Sequence, residues 1–592
     1  MNDMTFQSLP VAVEQDIDAA ELAALEADRL LHAYAGSATF GLSPAAIALA
    51  FGDWWMHLAA SPGKRTELLR KAFRKWARYS NYLGTALRGA ECPRCIEPLP
   101  QDTRFVGRAW QQWPFNAIYQ GFLLQQQWWH NATVGVRGVS PHHEDVVTFT
   151  MRQLVDIWAP SNFIWSNPEV LRATADQGGV NLVNGAANFI DDWRRTLLGQ
   201  PPAMAERFRP GAQVALTPGN VVMRNDLVEL IQYSPATQTV YPEPILIVPA
   251  WIMKYYILDL SPANSLVKYL VERGHTVFMI SWKNPAPVDR DLTMEDYRRL
   301  GVMDSLAAIE KIVPDCNIHV AGYCLGGTLL AIAAAAMARD RDERVATLTV
   351  LASQVDFEDA GELSLFIDDS QVSLLEDMMA ARGFLDTRQM AGAFQLLRSN
   401  DLVWSRRINE YLLGKRAPMT DLMAWNADAT RMPYRMHSEY LRRIFLRNAI
   451  SAGRYAAAGG PVALSDIANP IFAIGTTWDH VAPWRSVYKI GLYTDSEVTF
   501  LLTSGGHNAG IVNAPGRNDG SYQVATRRHG DPHVDPDTWL GRAPYHPGSW
   551  WPEWQRWLAA RSGTQAVPPR MGNPAAGYAP LGAAPGEYVL QR

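Results

Sequence analysis

The sequence predicts an α/β fold: a doubly wound, mostly parallel sheet with a helical lid insertion, preceded by a mainly helical N-terminal domain. Three observations support this prediction. Short apolar segments alternate with helical segments after about residue 200, a long helix-rich stretch separates the fourth of these segments from the fifth, and the chain before residue 200 shows only helical periodicity. Such a sheet places its ligands at the carboxyl ends of its strands.

Six apolar segments are predicted to form the parallel strands of the sheet. Each is apolar on both faces, as strands covered by helices on both sides must be. They are residues 244–250 (PILIVPA), 275–282 (HTVFMISW), 317–324 (NIHVAGYC), 345–353 (VATLTVLAS), 470–479 (PIFAIGTTWD) and 497–507 (EVTFLLTSGGH). Between them, Ser261 is predicted to open a helix that closes at Gly274, and Thr293 with Asp296 resembles a capping box.

Composition divides the chain into three predicted regions. Residues 1–40 are acidic and rich in alanine, which indicates a mobile leader or a short peripheral helix. Residues 41–199 are predicted to form a helical N-terminal domain rich in tryptophan, and residues 200–592 the catalytic domain. Residues 354–468 are longer than an ordinary connection and favour helix, so they are predicted to form a lid over the site.

Bulk composition excludes several classes of protein. Hydrophobic residues make up 48% and charged residues 19% of the chain, which is typical of globular proteins. A net charge of -5 gives no general attraction to nucleic acid, so no nucleic-acid partner is expected. The first residues lack the pattern of a signal peptide, and the longest apolar run is too short for a membrane span. With only four cysteines, the chain is expected to be cytoplasmic.

Cys324 is the predicted nucleophile. The segment GYCLGG, residues 322–327, follows a predicted strand and precedes a helix, as a nucleophile elbow of the α/β-hydrolase fold does, here with cysteine in place of serine. Gly322 and Gly326 allow the strand and the helix to approach each other closely. The helix N-terminus after Cys324 would stabilise a thiolate. The alternative is a buried structural cysteine beside a glycine-rich turn.

Asp479 and His507 complete a predicted catalytic triad. Each follows a predicted strand, in TTWDHVAP and SGGHNAG, and the chain order of nucleophile, acid and histidine is that of α/β-hydrolases. The spacing between the two accommodates one helix and one strand, so both side chains can reach the carboxyl edge of the sheet. His480 lacks the strand-end position of His507 and is predicted to have at most a supporting role.

A cysteine nucleophile suits acyl transfer from a thioester. Attack by a thiolate on a thioester gives another thioester of similar energy, so the acyl group stays activated for transfer to an alcohol. A hydrolase would gain more from serine, although cysteine hydrolases of this fold exist.

No metal or cofactor is predicted. Cys92 and Cys95 form a single C-x-x-C without a second pair, which does not favour a zinc or redox site. The sequence also lacks a phosphate loop and a dinucleotide fingerprint.

These motifs, together with several longer ones, resemble the polyhydroxyalkanoate synthases, in particular the class I poly(3-hydroxybutyrate) polymerases. The resemblance runs over most of the chain and rests on long, chemically unusual motifs. Besides the three triad motifs, they are FVGRAW (105–110), APSNFIWSNPE (159–169), KYYILDL (254–260), FMISWKNP (278–285), WNADATRMPYRMHSEYLR (425–442) and GSWWPEW (548–554).

The resemblance implies polymerisation of (R)-3-hydroxyacyl-CoA, with 3-hydroxybutyryl-CoA as the expected short-chain substrate, and release of CoA through an acyl-cysteine thioester. His507 would deprotonate Cys324, and the growing polyester chain would pass through the same thioester. The backbone N–H of Leu325 and a second donor from the loop containing Ile252 would hold the oxyanion. Asp479 would either help activate the 3-hydroxyl of the next unit or simply orient His507.

The resemblance also implies partners and a location. A homodimer, association with polymer granules in the cytoplasm and granule-associated proteins are expected. Trp425 matches the lid tryptophan of the family, and we interpret it either as lid packing or dimer contact, or as an ordinary core residue. Two positions depart from the family pattern, since Met253 replaces an asparagine and Asn508 an isoleucine. Their effects on rate or substrate range are left open.

Two aromatic segments are candidates for a hydrophobic contact surface. The basic amphipathic segment 64–78 is interpreted as the solvated face of a core-packed helix or as a contact with a partner or hydrophobic particle. The late tryptophans allow the same two interpretations, with core packing favoured; they are Trp550, Trp551, Trp554 and Trp557.

Two other functions remain open from the residues. An acyl-CoA thioesterase or polyester depolymerase of the same fold would share every catalytic residue, and only the product would separate it from a polymerase. A non-catalytic granule-binding protein is disfavoured because the three triad positions and the elbow glycines are all present.

Overall fold

A mainly helical region precedes the sheet, as predicted. The structure is a computed structural model that describes residues 19–39, 41–88, 93–99, 102–387, 403–516 and 519–592. Before the first strand lie helices α1 (Ala19–Ala38), α2 (Pro44–Ala59), α3 (Pro62–Ala86), α4 (Phe115–Thr133), α5 (Pro141–Ile157), α6 (Pro168–Asp176) and α7 (Val180–Leu197). Three of these helices begin with proline after a residue whose side chain accepts a backbone N–H, namely Ser43, Ser140 and Asn167.

One large mixed sheet forms the centre of the rest of the chain. Within the described residues it contains β1 (Gly219–Arg224), β2 (Val228–Tyr233), β3 (Ile245–Val248), β4 (Val277–Trp282), β5 (Ile318–Tyr323), β6 (Val345–Leu351), β7 (Ile471–Thr476), β8 (Val498–Thr503), β9 (Ser521–Arg527), β10 (Tyr545–Pro547) and β11 (Gly582–Ala583). Their order across the sheet is β10-β9-β8-β7-β6-β5-β3-β4-β2-β1-β11. Strands β3 to β8 are the six predicted segments, and all their mutual pairings are parallel. The predicted fold class is confirmed.

Antiparallel strands extend the sheet at both ends, and the sequence did not predict them. β2 pairs antiparallel with β4, and β9 pairs antiparallel with β8. β2 is fully buried although it contains Glu229 and Gln232. Glu229 is bonded to Arg224 of the neighbouring strand and to backbone N–H groups of the C-terminal segment. These partners allow polar residues to be buried in β2. The strand therefore lacks the apolar pattern that marks the parallel strands.

The core lies on both faces of the sheet, as the apolar strands require. In β4, Phe278 and Ile280 pack into one hydrophobic cluster, whereas Val277 and Met279 pack into the cluster on the other face. The alternation follows from the two-residue repeat of a strand, and helices cover each face.

The helices between and after the strands mostly fall where the pattern predicts them. They are α8 (Leu266–Val271), α9 (Met294–Asp296), α10 (Asp304–Ile312), α11 (Leu325–Arg339), α12 (Asp369–Arg382), α13 (Asp421–Asn426), α14 (Tyr434–Glu439), α15 (Trp484–Tyr488), α16 (Ile490–Tyr493), α17 (Pro536–Arg542) and α18 (Trp551–Ala559). A π-helical turn, Tyr297–Met303, joins α9 to α10. The capping box of Thr293 and Asp296 is confirmed. The predicted start of α8 at Ser261 is wrong, because Ser265 caps the helix while Ser261 bonds to Asp421 of the insertion.

The insertion between β6 and β7 is mainly helical in its described parts, with two short antiparallel strand pairs, Phe384–Leu385 with Met432–Pro433 and Ala456–Ala457 with Gly460–Pro461. It contains α12, α13, α14 and two π-helical segments, Arg407–Leu412 and Tyr440–Leu446. The described part of the predicted leader is α1, which lies against α12. His32 Nδ1 and Asp377 Oδ2 are 2.8 Å apart across that contact.

The two aromatic segments have opposite environments. The C-terminal tryptophans are buried, so a surface role for them is wrong and core packing is confirmed. In α3, by contrast, Phe73 and Trp76 are 71% and 69% exposed, although Leu68 on the same helix is buried. Among the described helices, none combines the length and the apolar character needed to cross a bilayer.

Candidate active site

Cys324 occupies a strained turn between β5 and α11. Its backbone has φ +52° and ψ −125°, a region that residues with side chains rarely adopt. Its N–H donates to the carbonyl of Leu351 on the neighbouring strand at 2.9 Å, and the Ser353 hydroxyl donates to its carbonyl at 2.7 Å. These contacts hold the turn in place, and the side chain lies at the N-terminal end of α11.

The glycines around Cys324 are required by close backbone contacts. A Cβ atom on Gly322 would lie 2.3 Å from the Cα of Gly327, and one on Gly326 would lie 2.1 Å from the carbonyl oxygen of Val248. Real Cβ atoms do not approach other atoms so closely. The strand and the helix can therefore meet at this distance only with glycine at both positions.

The structure brings Asp479 and His507 together beside Cys324. His507 Nδ1 donates to Asp479 Oδ2 at 2.8 Å. The other carboxylate oxygen accepts the backbone N–H groups of Val481 and Ala482 at 2.9 and 2.8 Å. Thr476 Oγ1 donates to Oδ2 at 3.0 Å, so both oxygens of the carboxylate are occupied.

The electrostatics of the site favour a protonated His507. Burial alone would lower the pKa of His507, but interactions with Asp479 and Cys324 raise that pKa well above its usual value. Burial opposes ionisation of Asp479, yet His507 and two backbone N–H groups hold its pKa below the usual value. A histidine that binds a proton this firmly, on a carboxylate that stays ionised, can take the proton of the neighbouring thiol.

The loop after β3 lies over the elbow. Ile252 of this loop lines the same cavity as Cys324 and Leu325, the first residue of α11. The carbonyl of Ile252 accepts the N–H of Thr430 at 3.1 Å, and Met253 forms a backbone bridge with Ala429. The loop is thus tied to the lid insertion through its backbone.

Trp425 is buried and acts on this loop rather than on the cavity. Its indole Nε1 donates to the carbonyl of Lys254 at 2.7 Å, and the side chain is 3% exposed. It is absent from the residues that line the cavity beside Cys324. This environment fits both lid packing and an ordinary core position, since Trp425 also belongs to the hydrophobic cluster on one face of the sheet. A dimer contact remains a prediction.

A cavity of about 150 Å³ lies beside Cys324. Its walls come from the elbow, the loop after β3, the end of β6, the segment after Asp479, the residues before α2 and the lid. Most of the lining is apolar, with Leu363, Phe366, Leu441 and Phe445 among the large side chains. The cavity can accommodate an acyl chain on the sulfur of Cys324.

Two polar residues that line the cavity were missed by sequence reasoning, and a third residue, which the sequence had singled out, lies near the site. Gln354 and His437 line the cavity, and Asn508 accepts a hydrogen bond from the Tyr323 hydroxyl at 2.6 Å. Asn508 also donates to Asn426 of the lid at 3.2 Å. Asn508 was singled out by its departure from the family pattern, whereas no signal in the sequence marked Gln354 or His437.

Three further predictions from the sequence concern His480, a metal site and the C-x-x-C segment. The carbonyl of His480 accepts the N–H of Glu362, so its backbone contacts the insertion. Within the ranges that the structure describes, no three His, Cys, Asp or Glu side chains are grouped to hold a metal ion. Cys92 lies outside the described residues, so the prediction for the C-x-x-C segment remains a prediction.

Family models match three parts of the chain. Residues 23–64 match the N-terminal region of poly-beta-hydroxybutyrate polymerase, and residues 101–270 match the model described as the poly-beta-hydroxybutyrate polymerase N-terminus. Residues 243–514, which contain the elbow and both partners of Cys324, match the alpha/beta hydrolase fold.

Similar proteins cover most of the chain. A poly(3-hydroxyalkanoate) polymerase of Methylorubrum extorquens is 40% identical over 86% of this chain and 84% of its own length. The corresponding polymerase subunit of Rhizobium meliloti is 38% identical over 89% and 85%, respectively, and that of Cupriavidus necator 36% identical over 82% and 83%. From the fold, the cysteine elbow and this extended similarity, we conclude that the chain belongs to the poly(3-hydroxyalkanoate) polymerase family.

Proposed function

We propose that this chain polymerises (R)-3-hydroxyacyl-CoA into polyhydroxyalkanoate with release of CoA, through a thioester on Cys324. The observation that carries the proposal is the placement of a cysteine at the strained elbow, beside the bonded pair of His507 and Asp479. Membership of the polymerase family supports the reaction class. The thioester chemistry of cysteine supports acyl transfer over simple hydrolysis.

In the proposed first step, His507 takes the proton of Cys324 and the sulfur attacks the thioester carbonyl carbon of the substrate. The oxyanion that forms is stabilised by the N–H of Leu325, at the start of α11, and by the loop containing Ile252. The carbon–sulfur bond to CoA then breaks, and the proton on His507 goes to the departing CoA sulfur. The acyl group is left on Cys324.

In the proposed second step, the 3-hydroxyl of an acyl unit attacks the Cys324 thioester of another. His507 takes the hydroxyl proton, an ester bond forms, and the sulfur of Cys324 is released to accept the next unit. We assign Asp479 the role of orienting His507. Its enclosed side chain and its four hydrogen bonds leave it no free face for a substrate hydroxyl, which supports this assignment over direct activation.

A short acyl chain is the proposed substrate. The large apolar side chains that surround Cys324 leave little room beside the sulfur and support 3-hydroxybutyryl-CoA. We further propose that the protein acts as a homodimer on cytoplasmic polymer granules, with granule-associated proteins as partners. The exposed Phe73 and Trp76 of α3 support contact with a hydrophobic surface.

The test is thiol release from (R)-3-hydroxybutyryl-CoA by the purified full chain, with extraction of chloroform-soluble polymer. Cys324→Ala is expected to abolish both, whereas Cys316→Ala, at a half-buried thiol away from the site, is expected to leave both unchanged. Thiol release with only free hydroxy acid would replace the proposal with a thioesterase. Polymer binding without thiol release would indicate a granule-binding protein.

A further inference from the structure

Two polar side chains in the Cys324 cavity lack a protein partner for one of their polar atoms. Nδ1 of His437 and Oε1 of Gln354 are fully enclosed and accept or donate no hydrogen bond within the described part of the chain. His437 is 6% exposed and Gln354 is 7% exposed. A buried polar group without a hydrogen bond destabilises the folded protein, so a ligand in this cavity that supplied the two missing bonds would be stabilised by them.

The two side chains reach the cavity from independent parts of the fold. Gln354 follows β6, and its carbonyl accepts the hydroxyl of Thr328 from α11 at 2.8 Å. His437 lies in α14 of the lid, where its ring stacks on Tyr440 with the ring centroids 6.1 Å apart. One group is therefore held by the sheet that carries Cys324, and the other by the insertion that covers it.

The chemistry of the pair is that of a neutral hydrogen-bonding site. Burial lowers the pKa of His437 to about 3, so its imidazole is uncharged near neutral pH. A neutral imidazole has one donor and one acceptor nitrogen, and a carboxamide offers both a donor and an acceptor. Together they can bind an uncharged oxygen of a ligand in surroundings that are otherwise mostly apolar.

We propose that Gln354 and His437 bind the oxygen on C3 of the acyl group carried by Cys324, and so select 3-hydroxyacyl groups over acyl groups that lack this oxygen. The inference rests on the proposed function. In that reaction the thioester oxygen is bound at Leu325, which leaves the C3 oxygen as the remaining polar atom of the acyl unit. That oxygen is a hydroxyl in the monomer, which can accept from a protonated Nδ1 of His437 and donate to Oε1 of Gln354. After elongation it is an ester oxygen, to which only His437 of the two unpartnered atoms can donate.

The experiment compares acylation by (R)-3-hydroxybutyryl-CoA and by butyryl-CoA, which differ only in that hydroxyl, in single-turnover measurements of thiol release by the full chain. The variants are Gln354→Leu and His437→Phe, with His437→Asn as the conservative variant that keeps a polar group near Nδ1. Leu441→Met, at an apolar wall of the same cavity, is the matched control. The wild-type preference for the hydroxylated substrate in kcat/KM is expected to fall about tenfold or more in the two apolar variants.

The preference is expected to persist in Leu441→Met and to be partly retained in His437→Asn. An equal loss of rate with both substrates in Gln354→Leu and His437→Phe would overturn the proposal, because it would indicate a purely structural role. If His437→Phe fails to fold, Gln354→Leu, which nearly preserves side-chain volume, decides the outcome alone. Wild-type protein that releases no thiol from any 3-hydroxyacyl-CoA would instead overturn the proposed function itself, and this inference with it.

Discussion

The loop that carries His507 and the lid helix that carries His437 present two buried histidines to the same site in opposite ways. His507 is bonded to Asp479 and interacts with Cys324, and these contacts raise its pKa. His437 has an unpartnered ring nitrogen, and burial lowers its pKa. A histidine that the protein satisfies is suited to moving protons, whereas one that it leaves unsatisfied is suited to binding a ligand.

The segment that carries His507 and the lid helix that carries His437 are also held in place by different contacts. The segment after His507 is fastened to the core by two indole N–H groups, from Trp550 to the carbonyl of Gly510 at 2.9 Å and from Trp551 to that of Ile511 at 3.0 Å. The lid helix is followed by Arg442, which is paired with Glu376 of α12, another element of the insertion. The segment that carries His507 is therefore fastened to the core, and the lid is stabilised in part by its own elements.

The largest expected difference between the two histidines is in catalysis. His507→Ala removes the proposed base and is expected to lower the rate of thiol release by about 10³–10⁴-fold. His437→Phe is expected to lower it far less, because it removes a contact to the acyl group and no proton acceptor. Single-turnover thiol release by the two purified variants measures both effects. Comparable losses would contradict the division of roles.

The next effect tests how firmly the His507 segment is fastened. Trp550→Ala removes a fully buried indole and its hydrogen bond to Gly510, and it is expected to lower the free energy of unfolding by about 3–5 kcal/mol. Trp76→Ala, at an exposed site in α3, is expected to change it by less than about 0.5 kcal/mol. Urea unfolding of both variants provides the measurement. Similar destabilisation at the two sites would show that α3 packs against a partner in solution.

A smaller effect is expected in the pH dependence of stability. The folded pKa of His437, about 3, lies below its unfolded value of about 6.5, so the unfolded chain binds an extra proton between these values. The contribution of the neutral ring is therefore complete above about pH 6.5 and is lost as the pH falls, by about 1.4 kcal/mol per pH unit. Between pH 7 and pH 5, the wild type is expected to lose about 2 kcal/mol more than His437→Phe in urea unfolding. Equal losses would show that the ring is protonated in the folded state.

The smallest effect concerns the contact between the two regions. Asn508→Ala removes the acceptor of the buried Tyr323 hydroxyl and the bond to Asn426 of the lid, and it is expected to cost about 1 kcal/mol of stability. Adding Tyr323→Phe is expected to recover part of that loss, because no unsatisfied hydroxyl then remains. Chemical denaturation of the single and double variants gives the comparison. A double variant less stable than Asn508→Ala would locate the cost in ring packing instead.

Local sequence patterns predicted the parallel strands, the elbow and the positions of Asp479 and His507 at strand ends. The six parallel strands were recognisable because burial on both faces requires apolar runs, and the elbow because Gly322 and Gly326 have no room for a side chain. The pairing of Asp479 with His507 followed from strand ends that meet at one edge of the sheet, and the two side chains do lie in contact.

The features that the sequence did not predict depend on contacts between residues that are far apart in the chain. β2 was not recognised because it contains Glu229, whose burial depends on backbone N–H groups near the C-terminus as well as on Arg224. Trp76 and Trp550 are the same residue type, yet only the second meets a covering surface in the described chain. Local sterics and periodicity were enough to predict the central sheet, which the structure confirms, and to propose Cys324 as the nucleophile. Gln354 and His437 lie far apart in the sequence, so their meeting in one cavity depends on how the chain folds. Their unpartnered atoms depend on the fold as well, because a buried atom can be seen to lack a hydrogen bond only when all of its neighbours are in place.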